Sequence, residues 1–174
     1  MSLRHAVLGL IAELDGASGY DLLKLFEISL NSVWPATQSQ LYGELGKLTA
    51  EGLIEVVAKG ARGRKEYGIT ETGRKELEHW IAEVEPKVPR RDDALLRVFL
   101  LGQVDRERAL SFLDRQRERV EEMVAELAGL EEAVPWDDDN LSFYGRLVME
   151  WGKQSLRARR DWYEWARNEI ESRG

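Results

Sequence analysis

The 174-residue sequence predicts a mainly α-helical chain with one small β-hairpin. Apolar residues recur at helical spacing along most of the chain, and beyond residue 92 the periodicity is helical throughout. Between residues 53 and 70, two short strand-forming runs flank a turn with two glycines, which is the pattern of a hairpin. Residues 85–91 hold two of the four prolines and are typical of a linker. We therefore predict two domains, residues 1–85 and residues 86–174.

The first two helices are predicted from apolar spacing and from residues that favour helix ends. The first ends near Asp15 and Gly16. Ser18 is a predicted N-cap for the second, with Asp21 at the third helical position, and Pro35 prevents this helix from continuing. The predicted buried residues are Leu3, Ala6, Val7, Leu10, Ile11 and Leu14 in the first helix and Tyr20, Leu23, Phe26 and Leu30 in the second.

The third helix leads directly into the hairpin. Thr37 and Gln40 fit a capping box at its start, and Gly52 is predicted to stop it. Residues 53–57 and 66–70 are the predicted strands. The i, i+4, i+7 spacing predicts one buried helix face, formed by Leu41, Leu45 and Leu48.

The later helices follow from the same signals. Thr70 is a predicted cap for a fourth helix, a short apolar helix begins at residues 92–93, and a long one begins at Asp105. A final long helix spans about residues 141–170, and with its predecessor it is expected to form an antiparallel pair that a second copy or the first domain must cover. The predicted core stripes are Leu77, Trp80, Ile81 and Val84; Leu95, Leu96, Phe99 and Leu100; Leu110, Leu113, Val120, Val124 and Leu127; and Tyr144, Leu147, Val148, Trp151, Ala158, Trp162 and Trp165.

Composition excludes several function classes. The content of 43% hydrophobic and 33% charged residues is that of a soluble globular protein. No apolar run is long enough to cross a bilayer and no signal-peptide pattern is present, so a cytoplasmic protein without membrane contact is expected. The lack of cysteine rules out disulfides, thiolate metal sites and a cysteine nucleophile.

No pattern of residues indicates an enzyme. The two histidines, His5 and His79, lie on different predicted helices with no triad-like arrangement, and no phosphate-binding or dinucleotide-binding glycine motif occurs. The acidic run at residues 137–139 is expected to cap the last helix rather than to bind a metal. We therefore predict no catalytic residues, no metal and no cofactor.

The third helix and the hairpin together indicate DNA. Their order is that of a winged helix-turn-helix, and small or polar residues occupy the helix face opposite the predicted buried one. At the helix start, the candidate base contacts are Gln38, Ser39 and Gln40, while Tyr42 can donate to a phosphate and Lys47 can supply charge. The alternative is that Gln40 only completes the cap and that Gly43 and Gly46 let another helix pack closely.

The hairpin tip favours the DNA interpretation. Lys59, Arg62, Arg64 and Lys65 lie there with no acid between Val56 and Lys65, although the whole chain has a net charge of −7. Screening confines the influence of distant acids to about 8–10 Å. We expect Arg62 and Arg64 to bind phosphates or a narrow minor groove and the lysines to add charge. The alternative is an ordinary solvated loop.

These residues resemble the PadR family of bacterial transcriptional regulators. The resemblance rests on Leu-Tyr-Gly-Glu-Leu-Gly-Lys-Leu-Thr-Ala-Glu-Gly-Leu-Ile at 41–54, Tyr-Gly-Ile-Thr-Glu-Thr-Gly at 67–73, and Leu-Gly-Leu-Ile-Ala-Glu-Leu at 8–14 with Ser-Gly-Tyr-Asp-Leu at 18–22. It implies a homodimer with a helical C-terminal dimerisation domain, usually a repressor, that binds an inverted repeat and is often released by a small molecule. It also implies DNA-contact roles for Ser39, Gln40, Tyr42, Lys47, Arg62, Arg64 and Lys65.

The aromatic residues of the last helix allow two interpretations. Tyr144, Trp151 and Trp162 could line a pocket for a planar effector, but aromatic residues at helical spacing are more often core or dimer seam. Two further functions compete with the regulator. One is a protein-interaction adaptor that uses the winged helix without DNA, which the acidic net charge would allow, and the other is a carrier of aromatic ligands.

Overall fold

The computed structural model describes residues 2–14, 16–29, 34–59, 64–86 and 91–173. The chain divides into two compact units, Met1–Pro86 and Lys87–Gly174. The first contains α1 (Ser2–Leu14), β1 (Ala17–Ser18), α2 (Gly19–Ser29), α3 (Gln38–Ala50), β2 (Ile54–Lys59), β3 (Lys65–Ile69) and α4 (Glu71–Ala82). The second contains α5 (Asp93–Phe99), a 3₁₀ turn (Leu101–Gln103), α6 (Arg106–Ala133) and α7 (Asn140–Ser172). The described part is thus mainly helical with one small antiparallel sheet, which confirms the predicted fold class.

The predicted helix caps are present. Ser18 Oγ accepts from the Asp21 backbone N–H, and the Asp21 carboxylate accepts from the Ser18 backbone, so the two residues cap α2 reciprocally. Thr37 and Gln40 form the predicted capping box of α3, and Thr70 caps α4. Asp139 caps α7, as expected for the acidic run. These local signals therefore fix where α2, α3, α4 and α7 begin.

Gly52 ends α3 as predicted. It adopts a φ of +70°, which glycine reaches without steric cost, and its N–H donates to the Thr49 carbonyl. The Leu53 N–H donates to the Leu48 carbonyl, which completes a Schellman motif. The chain turns sharply here and enters β2.

The core of the first unit lies where α1, α2 and α3 meet the sheet. Its buried apolar residues are Val7, Leu8, Leu10, Ile11, Ala17, Leu22, Phe26, Leu41, Leu45, Leu48, Leu53 and Ile54. The predicted face of α3 is fully buried in it.

Three core predictions in this unit are wrong. Tyr20 is exposed and Leu22 is buried instead, because residues two apart on a helix point in opposite directions. Val84 is exposed because it lies beyond α4, which ends at Ala82, and Ile81 is exposed in the last turn of that helix, whose core contact comes from Leu77. The predicted Leu30 lies outside the described residues.

The sheet has one strand more than predicted. Its order is β1-β3-β2, with both neighbours antiparallel to β3. The predicted hairpin is β2 and β3, with Ile54 opposite Ile69 and Lys59 opposite Lys65. The two-residue β1 places Ser18 opposite Glu66, which joins the start of α2 to the first residues of β3.

In the second unit α6 and α7 form the predicted antiparallel pair. Leu113, Val120, Tyr163 and Ala166 are buried between them. Arg167 pairs with Asp114 at 2.9 Å and Lys153 with Glu131 at 2.5 Å, so residue numbers rise along one helix as they fall along the other.

Much of the remaining apolar surface of this unit is exposed. The exposed large apolar residues of α5 and α7 are Leu95, Leu96, Phe99, Phe143, Tyr144, Leu147, Val148, Trp151 and Trp165, and Leu100 follows α5 directly.

Within the described ranges, no helix combines the length and apolar character that a membrane span requires.

Candidate DNA-binding surface

The face of α3 opposite the core is open. Ser39, Gly43, Gly46, Lys47 and Ala50 are all exposed. A Cβ atom built on Gly43 or Gly46 would meet no neighbour within 4 Å in the part of the chain that the structure describes. The two glycines therefore do not serve close helix packing there, and a ligand can approach the α3 backbone closely.

Gln38 and Gln40 differ in what their side chains can offer. Both are exposed in the first turn of α3. Gln40 Oε1 accepts from the Thr37 backbone N–H at 2.8 Å and from Thr37 Oγ1 at 3.2 Å. Bidentate recognition of adenine requires both the oxygen and the nitrogen of the amide, so the cap competes with that contact. Gln38 is therefore the stronger candidate for base recognition.

Tyr42 lies where α3 meets the start of α2. Its side chain is exposed, but its ring lies against Gly19: a Cβ atom built on Gly19 would be 2.6 Å from Tyr42 Cε1 and 3.2 Å from the hydroxyl oxygen. Only glycine permits this approach. The ring is thereby oriented while it stays accessible to a ligand.

Lys47 carries its charge beside an acid. Its Nζ lies 2.7 Å from Glu44 Oε1, and the lysine side chain is 62% exposed. An exposed pair of this kind contributes only about 0–1 kcal/mol, so a phosphate can compete for the ammonium group.

The end of the hairpin next to residues 60–63 holds the remaining predicted contacts. Lys59 and Lys65 are exposed register partners at the same end of the β2–β3 ladder. Arg64 Nη2 donates to Asp21 Oδ2 at 2.6 Å, so this predicted DNA contact is engaged with an acid of its own chain. Arg62, the other predicted arginine, lies outside the described residues.

Asp21 is a site residue that sequence reasoning missed in this role. The Ser18 hydroxyl donates to its carboxylate at 2.6 Å, and this bond, then the Ser18 backbone N–H and Arg64, lower the pKa of Asp21 below its usual value. The sequence indicated Asp21 only as part of a helix cap. No local signal indicates a partner 43 positions away.

The predicted effector residues do not share one pocket within the chain. Tyr144 and Trp151 are exposed, and Trp162 is half-buried against the α6–α7 core. Eighteen residues of helix separate Tyr144 from Trp162, which is about 27 Å at 1.5 Å per residue. One small molecule therefore cannot touch all three side chains of a single chain.

A cleft of about 650 Å³ lies elsewhere in the second unit, between α5 and the start of α6. It combines guanidinium groups with apolar side chains. The cleft lining includes Arg97, Arg108, Arg115, Leu100, Leu101 and Phe112.

Among the described residues, no group of three or more potential ligands could hold a metal ion.

An exposed helix beside an antiparallel hairpin, both anchored on a three-helix core, defines a winged helix-turn-helix protein. Residues 7–79 match the profile of the "Transcriptional regulator PadR-like family", and residues 90–171 match "Virulence activator alpha C-term". The negative transcriptional regulator PadR of Bacillus subtilis is 30% identical over 146 residues, which cover 81% of this chain and 79% of that protein. The chain belongs to the PadR family, in the longer branch with a helical C-terminal domain. It is a transcriptional regulator and not an enzyme.

Solved structures agree with this assignment. Bacillus subtilis PadR in complex with operator DNA superposes with a TM-score of 0.81 at 27% identity, covering 98% of this chain and 99% of that one. The same regulator in complex with p-coumaric acid has a TM-score of 0.83 with the same identity and coverage. The Vibrio cholerae virulence activator AphA shares the fold, with a TM-score of 0.81, 24% identity and coverage of 99% of each chain.

Proposed function

We propose that the protein is a homodimeric repressor that binds an inverted-repeat operator in double-stranded DNA and is released by a small molecule. Residues 1–85 form the DNA-binding domain, and residues 86–174 form the dimerisation and effector domain. The observation that carries the proposal is the open face of α3, where two glycines leave the helix backbone accessible. As a regulator of transcription it works in the cytoplasm.

Each subunit inserts the start of α3 into a major groove. Gln38 and Ser39 reach base edges, while Tyr42 and Lys47 bind phosphates, and Gln40 contributes after its cap opens. Lys65, Arg62 and Arg64 bind the adjacent backbone or minor groove. Two recognition helices about 34–36 Å apart then read half-sites one duplex turn apart.

The second copy covers the exposed apolar face of α7. Phe143, Tyr144, Leu147, Val148 and Trp151 recur at helical spacing and are all about half-exposed or more. A run of exposed large apolar residues along one helix of a soluble protein usually marks an interface. The cost of leaving them in water supports dimerisation through this domain.

The effector binds in the C-terminal domain and shifts the protein toward a conformation with the wrong helix spacing for DNA. The PadR relative crystallised with p-coumaric acid supports a small aromatic acid as the first probe. Tyr144 and Trp151 at the dimer seam are the proposed contacts. In Trp151→Phe, p-coumaric acid should quench tryptophan fluorescence less than in the wild-type protein. Quenching that disappears instead in Arg108→Ala would place the ligand in the cleft between α5 and α6.

Salt-dependent DNA binding tests the main proposal. The duplex is one that the wild-type protein enriches from a random-sequence pool, and affinity is measured across a salt series. Arg62→Ala with Arg64→Ala should reduce the slope of log affinity against log salt by about 0.9 for each lost phosphate contact. Arg157→Ala with Arg173→Ala removes the same charge from exposed positions of the C-terminal unit and should leave the slope unchanged.

Three outcomes contradict parts of this proposal. A slope that stays unchanged in the hairpin variant excludes the proposed arginine contacts. Failure to enrich or retard any duplex, with and without p-coumaric acid, favours a protein-interaction adaptor instead. Quenching without any DNA response favours a carrier of aromatic ligands.

A further inference from the structure

The pairing of Asp21 with Arg64 follows from the sheet register. β1 pairs with β3 so that Ala17 lies opposite Tyr67 and Ser18 opposite Glu66. β1 runs directly into α2, and Arg64 immediately precedes β3. The antiparallel register therefore brings Arg64 alongside the first turn of α2, where its Nη2 donates to Asp21 Oδ2 at 2.6 Å.

Asp21 is itself held firmly. The same Oδ2 atom that receives Arg64 also accepts from the Ser18 backbone N–H at 3.1 Å and from the Ser18 hydroxyl at 2.6 Å. The position of the carboxylate is thus fixed by two hydrogen bonds from Ser18 that do not involve Arg64. The carboxylate can therefore restrict the orientation of Arg64, instead of adjusting its own position to the arginine.

Arg64 keeps binding capacity while it is held. A guanidinium carries five N–H donors, and the ion pair engages one terminal nitrogen. The Arg64 side chain is 52% exposed. A phosphate can therefore be bound by the same guanidinium without breaking the contact with Asp21.

We propose that Asp21 is a positioning residue for DNA binding, which holds Arg64 at the turn end of the hairpin in the orientation that meets a phosphate. This inference rests on the DNA-binding function proposed above. An arginine loses considerable side-chain freedom when it binds. A carboxylate that restricts it beforehand lowers that loss at the moment of binding, as pre-organisation does generally.

Positioning of Arg64 by Asp21 and simple electrostatic repulsion predict opposite changes in DNA affinity when the acid is removed. An acid beside a polyanion repels it, so removing an acid that does nothing else tightens DNA binding. Removing an acid that orients an arginine weakens binding instead. The sign of the change therefore separates the two roles.

The test measures DNA affinity of Asp21→Asn, which keeps an oxygen acceptor for the cap but loses the charge. Glu27→Gln removes one charge from an exposed position on the same helix and is the matched control. We expect Asp21→Asn to weaken binding about three- to tenfold, in the range of one ordinary hydrogen bond, while Glu27→Gln leaves it equal or tighter. Thermal melts of both variants establish that they are folded.

A double-mutant cycle shows whether Asp21 acts through Arg64. With Arg64→Ala already present, Asp21→Asn should no longer weaken binding. Tightening by Asp21→Asn alone, matching Glu27→Gln, would overturn the inference and leave the regulator standing, as would equal weakening with and without Arg64. A wild-type protein that binds no duplex would overturn both this inference and the proposed function.

Discussion

The ring of Tyr42 in α3 lies against Gly19 at the start of α2, in space that any larger residue at position 19 would occupy. This contact packs α3 against the start of α2 beside the proposed DNA-binding face. Gly19→Ala must displace the ring, because the new Cβ would approach Tyr42 Cε1 to 2.6 Å.

Gly19→Ala should therefore weaken DNA binding. A tenfold loss of DNA affinity would correspond to about 1.4 kcal/mol of binding free energy. Tyr42→Phe, which keeps the ring and removes only the hydroxyl, should cost about 1 kcal/mol if the hydroxyl binds phosphate. In a Tyr42→Ala background, Gly19→Ala should have no further effect on affinity. Additive losses in that background would show that Gly19 matters for some other reason.

Replacing the glycines of α3 with alanine should change protein stability and DNA affinity in opposite directions. Glycine inside a helix costs about 1 kcal/mol relative to alanine, and a Cβ on Gly43 or Gly46 meets no neighbour within 4 Å in the described chain. Gly43→Ala and Gly46→Ala should therefore each raise the free energy of unfolding by about that amount. Both should also weaken DNA binding, since the added methyl groups stand between the helix backbone and the groove floor.

Gly9→Ala provides the control for these opposite changes. Gly9 lies inside α1 and is also open to an added Cβ atom. Chemical denaturation should show a similar gain in stability, and the affinity for DNA should stay unchanged. Equal affinity of all three variants for the duplex would exclude close approach of DNA to α3.

The sequence predicted the local features of this surface better than the long-range ones. The caps at Ser18, Thr37 and Thr70 depend on residues three apart, so their patterns are readable in the chain itself. Strand β1 is only two residues long and carries no alternation that could reveal it.

Consequences of β1 were therefore also beyond the reach of sequence reasoning. Arg64 was predicted to meet phosphate, but its pairing with Asp21 depends on the β1–β3 register. Apolar periodicity likewise predicted helix faces without fixing their edges, and Tyr20 and Ile81 consequently proved to be exposed.

Gly73 is predicted to be essential for stability. In the first turn of α4, a Cβ atom at this position would overlap the backbone carbonyl of Leu53, which also accepts from the Thr70 backbone N–H at 3.0 Å. Backbone cannot move aside as a side chain can. Gly73→Ala should therefore lower the free energy of unfolding by about 1–3 kcal/mol, the range for overpacking, as measured by urea denaturation. Thr72→Ala at the exposed neighbouring position should cost far less, and equal losses would exclude the steric cause.

The apolar face of α7 leads to a prediction about assembly. Trp151 is 72% exposed, and Phe143 and Leu147 lie on the same side of the helix. Trp151→Glu should shift the protein from dimer to monomer in sedimentation, because a charge buried in an apolar interface is costly. Glu150→Gln changes a neighbouring exposed residue and should leave the dimer intact. A wild-type protein that sediments as a monomer at all concentrations would contradict the proposed dimer.

Acid should remove part of the stability that Asp21 supplies. Hydrogen bonds from Ser18, followed by the charge of Arg64, lower the pKa of Asp21 in the folded protein below the usual 3.8. The folded state therefore binds this proton less readily than the unfolded state, so the contribution is fully present above the unfolded pKa and declines as pH falls through the folded one. The difference in urea midpoint between wild type and Asp21→Asn should accordingly be largest near neutral pH and shrink below about pH 3.8. Glu27→Gln serves as the reference in the same titration. A difference that stays constant across this range would mean that the Asp21 carboxylate does not stabilise the fold through its charge.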